Sequence, residues 1–197
     1  MARFTAIFDA NVLFSMTITD IALEAAQADF FRPRWSADIH DEWIRNLLKK
    51  NDKHDRARID YRRKTMDSAF PDALVAGYED LVHVLDLPDQ DDRHVLAAAI
   101  VGNADVIVTK NVKHFPDSKL APFAIEVQHP DTFLIHQRGL NPAKFLECVR
   151  RCRSRLKNPP KTADEYLDGL KRAELVVLAS ELAQDKEPIV SGPFPTT

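Results

Sequence analysis

The chain is poor in several residues, and each shortage excludes something. Two cysteines among 197 residues cannot build a disulfide framework. They stand four apart, at Cys148 and Cys152, on a segment of helical pattern, and read as reduced, half-buried thiols. A zinc site would need two further ligands, and none is placed to supply them. Five glycines rule out a collagen-like or glycine-rich low-complexity chain. No apolar run approaches the roughly 18 residues of a membrane helix. The opening stretch carries Asp9 inside its apolar residues and lacks a small-residue cleavage site, so it does not read as a signal peptide. The expectation is a cytoplasmic protein with no membrane partner. Positive charge is not in excess either. A net charge of −3 and a pI near 6.2 argue against a generic polyanion binder, while leaving local basic patches open.

What is present is ordinary globular material, with 45% hydrophobic and 29% charged residues. The length suits one domain with a small appendage. Phe4–Phe8 is an apolar run too short for a helix and predicts a buried strand ending at Asp9. Thr19 or Asp20 caps a helix to about Asp29, which Pro33 stops. Ser36 caps a second helix, with Ile39, Trp43 and Leu47 recurring every four positions. A third helical stretch runs from His54 to about Ala69. Leu81–Leu85 predicts a second strand, and Pro88–Asp92 a polar turn that opens a helix over Arg93–Val101. Val106–Thr109 and Ala124–Val127 predict two more strands. Short buried strands alternating with amphipathic helices predict an α/β fold: a central parallel sheet in three α/β/α layers.

Beyond about residue 130 the strand pattern ceases. Pro142 opens a helix to about Lys157, Asn158-Pro159-Pro160 breaks it, Thr162-x-x-Glu165 is a capping box, and Glu174–Gln184 makes a further helix. The organisation expected is an α/β domain over residues 1–135, an all-helical C-terminal extension over 136–187, and a loose, proline-containing tail over 188–197.

Ligands of parallel α/β folds bind outside the carboxyl ends of the strands, and this sequence puts its acids there. Asp9 follows the first strand; Asp89, Asp91 and Asp92 follow the second; Asn111 lies two residues after Thr109. Glu42 flanks the apolar face of its helix, and Asp92 stands at a helix N-terminus, where the backbone dipole favours a carboxylate. Carboxylates brought together repel strongly without a cation. Oxygen ligands in such a cluster suit Mg²⁺ or Mn²⁺, ions that bind a phosphodiester and activate water.

Ala6-Ile7-Phe8-Asp9-Ala10-Asn11-Val12-Leu13 resembles the opening strand motif of PIN domains. Ser36-Ala37-Asp38-Ile39-His40-Asp41-Glu42 is similar to the second motif of that family. The third and fourth are matched by Asp89-Gln90-Asp91-Asp92-Arg93 with Val95–Ala99, and by Ala104–Asn111. The resemblance covers residues 3–135 and implies a metal-dependent endoribonuclease, Mg²⁺ or Mn²⁺ being its cofactor. It carries Asp9, Glu42 and Asp92 over as metal ligands, with Asp89 and Asp91 as additional candidate acids. Many bacterial members are VapC-like toxins of toxin–antitoxin pairs. The helical tail is similar to that of a longer VapC-like subgroup, which implies an antitoxin partner; members also often dimerise. The family's fourth acid falls at Asn111 here. An amide ligates or orients water without adding charge, which disfavours a second, weakly held metal. His114, one turn on, reads as structural or exposed.

Arg45–Lys64 holds nine Lys/Arg against three Asp, and Lys144–Lys161 holds seven against one Glu. The remainder is therefore acidic, giving an acidic pocket beside basic surfaces, as RNA cleavage requires. Arg45, Lys49, Arg58, Arg62 and Arg93 are candidate RNA contacts, and Tyr61 is either a base-stacking or a half-buried ring. Two rivals remain: a catalytically weakened PIN fold that only binds RNA or protein, marked by Asn111, and a phosphatase with Asp9 as nucleophile. The second is disfavoured because Asn11 stands where such a phosphatase has another Asp.

Overall fold

The computed structural model describes residues 4–50 and 55–184; the expected tail at 188–197 lies outside the described residues. Internal contacts divide the chain into two units. One holds the residues up to Phe14 and Phe31–His129, the other Ser15–Phe30 and the residues from Pro130 onward.

In the first unit β1 (Thr5–Phe8) leads through Asp9 into the single turn α1 (Ala10–Leu13). The chain departs for the second unit as α2 (Met16–Gln27) and returns as β2 (Arg32–Ser36). The helices α3 (Ala37–Lys50) and α4 (Arg56–Ala69), the two-residue strand β3 (Leu74–Val75) and the short α5 (Glu79–Val82) follow. A 3₁₀ turn at Gln90–Asp92 runs into α6 (Arg93–Val101), then come β4 (Val106–Val108), α7 (Asp117–Leu120) and β5 (Glu126–Gln128). All five strands are parallel, in the order β3-β2-β1-β4-β5. The chain fills one side of β1 with β2 and β3, then the other with β4 and β5. The crevice therefore opens beyond the carboxyl ends of β1 and β4. Both strands are wholly buried, in keeping with runs that are apolar but for Thr5. α6 buries Val95–Ala99 and packs on β1, β2 and β4.

Two strand assignments differ from expectation. Leu81–Leu85 is no strand: α5 occupies its start, and Val84 is exposed. An apolar run of that length fits either period, and here Leu81 and Leu85 are joined by a helical hydrogen bond. The second strand of the sheet is instead Arg32-Pro33-Arg34-Trp35-Ser36, a segment whose proline suggests only a helix stop. Proline is tolerated there for a geometric reason. Arg32 donates to Phe4 on the β1 side and Trp35 donates to Ala73 on the β3 side. Pro33 therefore faces the β3 side, where β3 pairs only with Trp35 and Ser36, so no ladder bond is lost.

The second unit is helical. Ser15 caps α2, its hydroxyl accepting from the Ile18 N–H. α8 (Pro130–Leu140) is followed by α9 (Pro142–Arg155), capped by Asn141 with Pro142 in its first turn. α10 (Ala163–Arg172) opens on the expected capping box of Thr162 and Glu165. α11 (Val176–Gln184) takes its cap from far away, as the Asp131 carboxylate accepts from the Val177 and Leu178 N–H groups at 2.8 and 2.9 Å. Within this unit Glu24, 5% exposed, accepts from Arg155 at 2.5 Å and Arg151 at 3.3 Å, and Arg155 also reaches Asp20. Two cations of the second basic segment are thus paired with buried Glu24, although both side chains stay exposed. Cys148 and Cys152 are fully buried free thiols, and burial pushes both up from the ordinary thiol range. Among the described residues no helix is long and apolar enough to cross a membrane.

Candidate active site

The register of β1 against β4, with Phe8 opposite Val108, places Asp9 beside Thr109. The Asp9 N–H donates to the Val108 carbonyl at 3.1 Å, which fixes the backbone at the strand end. The side chain is buried, 2% exposed. Its Oδ2 accepts from the Thr109 hydroxyl at 2.6 Å and from the Asn11 amide at 2.5 Å. Asn11 Nδ2 also reaches Thr109 Oγ1 at 3.0 Å, and Asn11 Oδ1 accepts from the Lys110 N–H at 3.0 Å. The Asn111 N–H donates to Thr109 Oγ1 at 3.0 Å. One amide and one hydroxyl thereby tie the ends of β1 and β4 together around the carboxylate.

Burial raises the Asp9 pKa from about 3.8 to about 6; the Thr109 hydrogen bond lowers it, and repulsion from Asp92 and Glu42 raises it again. That repulsion places all three expected acids in one electrostatic neighbourhood. Glu42 lies in α3, beside buried Trp43 and partly exposed, as its helical position predicts. Its Oε2 pairs with His94 Nε2 at 3.3 Å. Asp92 joins the 3₁₀ turn to α6, and burial raises its pKa; the His114 hydrogen bond opposes this, and Asp89 and Glu42 add to it.

The acids of the Asp89–Asp92 turn divide by geometry. Asp92 Oδ2 lies 2.7 Å from His114 Nδ1, and Asp89 Oδ2 lies 3.5 Å from the same nitrogen. Ligand atoms of Asp89, Asp92 and His114 all fall within 4.8 Å of one another. Asp91 is exposed, and its N–H bonds the Asp89 carboxylate as part of the turn. Because α5 replaces the expected strand, these acids reach the crevice from the turn before α6 rather than from a strand end. His114, expected to be structural or exposed, instead touches two acids of the site with its imidazole. The one signal in the sequence is its spacing, three residues beyond Asn111, whose carbonyl accepts its N–H in a 3₁₀ turn.

Asn111 is exposed and meets the site through its N–H; the donor set is carboxylate oxygens with the His114 imidazole beside them. It is short of positive charge around a buried carboxyl, which fits a divalent ion of the Mg²⁺ or Mn²⁺ type.

The candidate RNA contacts are placed unequally. Arg45, Lys49 and Arg58 are exposed or partly so, Arg93 is half-buried, and Tyr61 is 72% exposed. Arg62 faces inward: it donates to the Leu13 carbonyl at 2.5 Å, and its guanidinium lies 4.6 Å over the Trp43 ring. Two open cavities adjoin α3. One, of about 550 Å³, is lined by Asp41, Ile44, Arg45, Leu48, Lys49 and Arg56. The other, of about 530 Å³, shares Lys49 and reaches Asn11 and Lys110.

Fold and acids together define a class: a parallel α/β protein with a carboxylate site at the point where its strand order reverses. The chain belongs to the PIN-domain family, whose model matches residues 5–113. A second model, the VapC50 C-terminal domain, matches residues 130–184. A curated relative, "Putative ribonuclease VapC50" of Mycobacterium tuberculosis (strain ATCC 25618 / H37Rv), is 41% identical over 98 residues. That match takes in 50% of this chain and 57% of the relative, so the chain spans a little over half of that protein's length. No solved structure gives a significant match.

Proposed function

We propose that the protein is a metal-dependent endoribonuclease, the toxin of a VapC-like toxin–antitoxin pair. The observation that carries this reading is the buried Asp9 carboxyl, pushed up to about 6 beside Asp92 and Glu42. A fold that served only as a scaffold gains nothing from burying an acid among acids. Asp9, Glu42 and Asp92 would hold Mg²⁺ or Mn²⁺, with Asn111 at the edge and Asp89 as a further ligand candidate. When bound, such an ion supplies Lewis acidity that activates water and offsets charge on the phosphodiester. The protein's own part is positioning. Thr109 and Asn11 lock the Asp9 carboxylate in one orientation, and His94 and His114 orient Glu42 and Asp92. Asn111 is the feature that favours the second reading, an RNA- or protein-binding PIN fold with weakened catalysis.

The nuclease residues are taken as 1–135 and the helical extension as 136–187. RNA is the substrate, approached along the cations beside α3. An antitoxin protein is the expected partner, with the groove holding Ile44 and Leu48 beside Arg45 and Arg56 as a place for its segment. A homodimer and a cytoplasmic location complete the reading. Induced expression in a bacterial host should deplete particular RNA species, while Asp9→Asn should leave the RNA profile as in uninduced cells. An unchanged profile with the wild-type chain would count against the toxin.

A further inference from the structure

The open cavity of about 530 Å³ is lined by Asn11, Phe14, Asn46, Lys49, Lys50 and Lys110. We infer that it is a subsite for a single-stranded nucleotide flanking the cleaved phosphodiester, with phosphate held by the lysines and the base against Phe14. The inference rests on the ribonuclease reading and names where the substrate lies.

Three features support it together. The first is charge: three of the six lining residues are lysines and none is acidic, although the neighbouring catalytic crevice is built of acids. A substrate polyanion is repelled by the crevice and attracted by this wall, so the wall sets where it can run. The second is a ring at the right place. Phe14 is half-exposed, and the Lys50 ammonium lies 5.2 Å from its ring centre. A cation already on that face, carried by an exposed side chain, marks the face as reachable from solvent. A base can take the face while the ammonium moves to phosphate. The third is continuity with the acids. Asn11 lines the cavity and donates to Asp9 Oδ2, and its Oδ1 holds the backbone N–H of Lys110. A nucleotide here therefore lies next to the Asp9 carboxylate. The Asn46 and Asn11 amides offer both donors and acceptors to a base edge or a 2′-hydroxyl. Duplex RNA keeps its bases stacked inside and cannot use the ring, so the subsite selects single strands.

The test is binding of a fluorescent 12-nucleotide single-stranded RNA in EDTA, followed by anisotropy across a salt series, with Mn²⁺-dependent cleavage measured in parallel. Lys110→Ala and Lys49→Ala should each weaken binding several-fold and lower the salt slope by about 0.7. Phe14→Leu should weaken binding about tenfold with the slope unchanged, and Phe14→Tyr should restore it. In cleavage these variants should raise KM and leave kcat near wild type, and their melting curves should stay cooperative. If the wild type binds and cuts RNA but the variants bind it equally well, the subsite is wrong while the ribonuclease reading stands. The subsite also falls alone if the variants lose only the capture of an antitoxin peptide, or if duplex binds as tightly as single strand. If the wild type neither binds nor cuts RNA, both fall.

Discussion

Asp9 sets stability against its proposed metal-binding role. Its carboxyl sits at about 6 in the folded chain and near 3.8 when free, so the folded state binds the proton more tightly. Its contribution is therefore most favourable below pH 4 and is lost as pH rises through 6. At about 1.4 kcal/mol per pK unit, keeping Asp9 ionised costs the metal-free protein on the order of 3 kcal/mol at pH 7. Asp9→Asn keeps an oxygen for the Thr109 and Asn11 donors and removes the charge. In EDTA at pH 7 the variant should melt several degrees higher than the wild type, and the gap should close as pH falls to 4. Mn²⁺ should then raise the wild-type Tm and leave the variant unmoved. A variant that melts lower at every pH would contradict this account of Asp9.

His40 titrates in the other direction. It is fully buried, its Nδ1 accepts from Trp43 Nε1 at 2.9 Å, and its Nε2 faces Asp67 Oδ1 at 3.1 Å. Burial holds its pKa below the ordinary 6.5, Asp67 opposing. The unfolded chain takes up the proton first, so the His40 contribution is complete above 6.5 and fades as the solution is acidified. Denaturant midpoints between pH 7 and 5 should fall less steeply for His40→Gln than for the wild type; equal slopes would remove His40 from the explanation. The positions of the proposed ligands Asp9, Glu42 and Asp92, at a strand end, beside a buried helix face and at a helix start, are legible in the sequence. His114 is not, because nothing in a sequence says that a 3₁₀ turn aims its ring at the turn before α6.

At the scale of elements, legibility follows apolar pattern and fails where pattern is absent. β1 and β4 read correctly because their short buried runs are apolar but for Thr5. α9 and α10 read correctly because their caps, Asn141-Pro142 and Thr162-x-x-Glu165, are local signals. β2 is hidden because its ladder bonds lie on backbone that Pro33 does not interrupt, and its Trp35 Nε1–H is satisfied by Asp67 at 2.9 Å. β3 has two residues, too few to carry a period. Close packing between elements yields its own prediction. Gly102 ends α6, and a β-carbon there would lie 2.8 Å from the Val75 Cγ2 of β3 and 2.9 Å from the Ala98 carbonyl. Gly102→Ala should cost on the order of 2 kcal/mol, about 5 °C in Tm; an unchanged Tm would mean the Val75 side chain moves freely.

In the second unit Glu24 draws Arg151 and Arg155 from α9 onto α2. Glu24→Gln removes a charge-assisted network whose arginines can still reach water. A loss of about 1–3 kcal/mol in urea unfolding is expected, with RNA cleavage unaffected.

Over the whole molecule, net charge hides local balance. The sequence is mildly acidic, yet it carries two basic segments of like charge. Both hold ion-paired cations, Arg56 and Arg63 in the first and Arg151 and Arg155 in the second. Arg45, Lys49 and Lys50 of α3 stand exposed. Which cations are paired depends on which acids the fold brings against them, and composition does not say. Metal-dependent RNA cleavage at Asp9 is the central claim. Its most direct test is incubation of a mixed RNA pool with the purified protein in Mn²⁺, in Mg²⁺ and in EDTA, beside Asp9→Asn. Discrete cuts with either ion, absent in EDTA and in the variant, are expected. RNA left intact at every metal concentration, yet bound equally by both proteins, would contradict that claim.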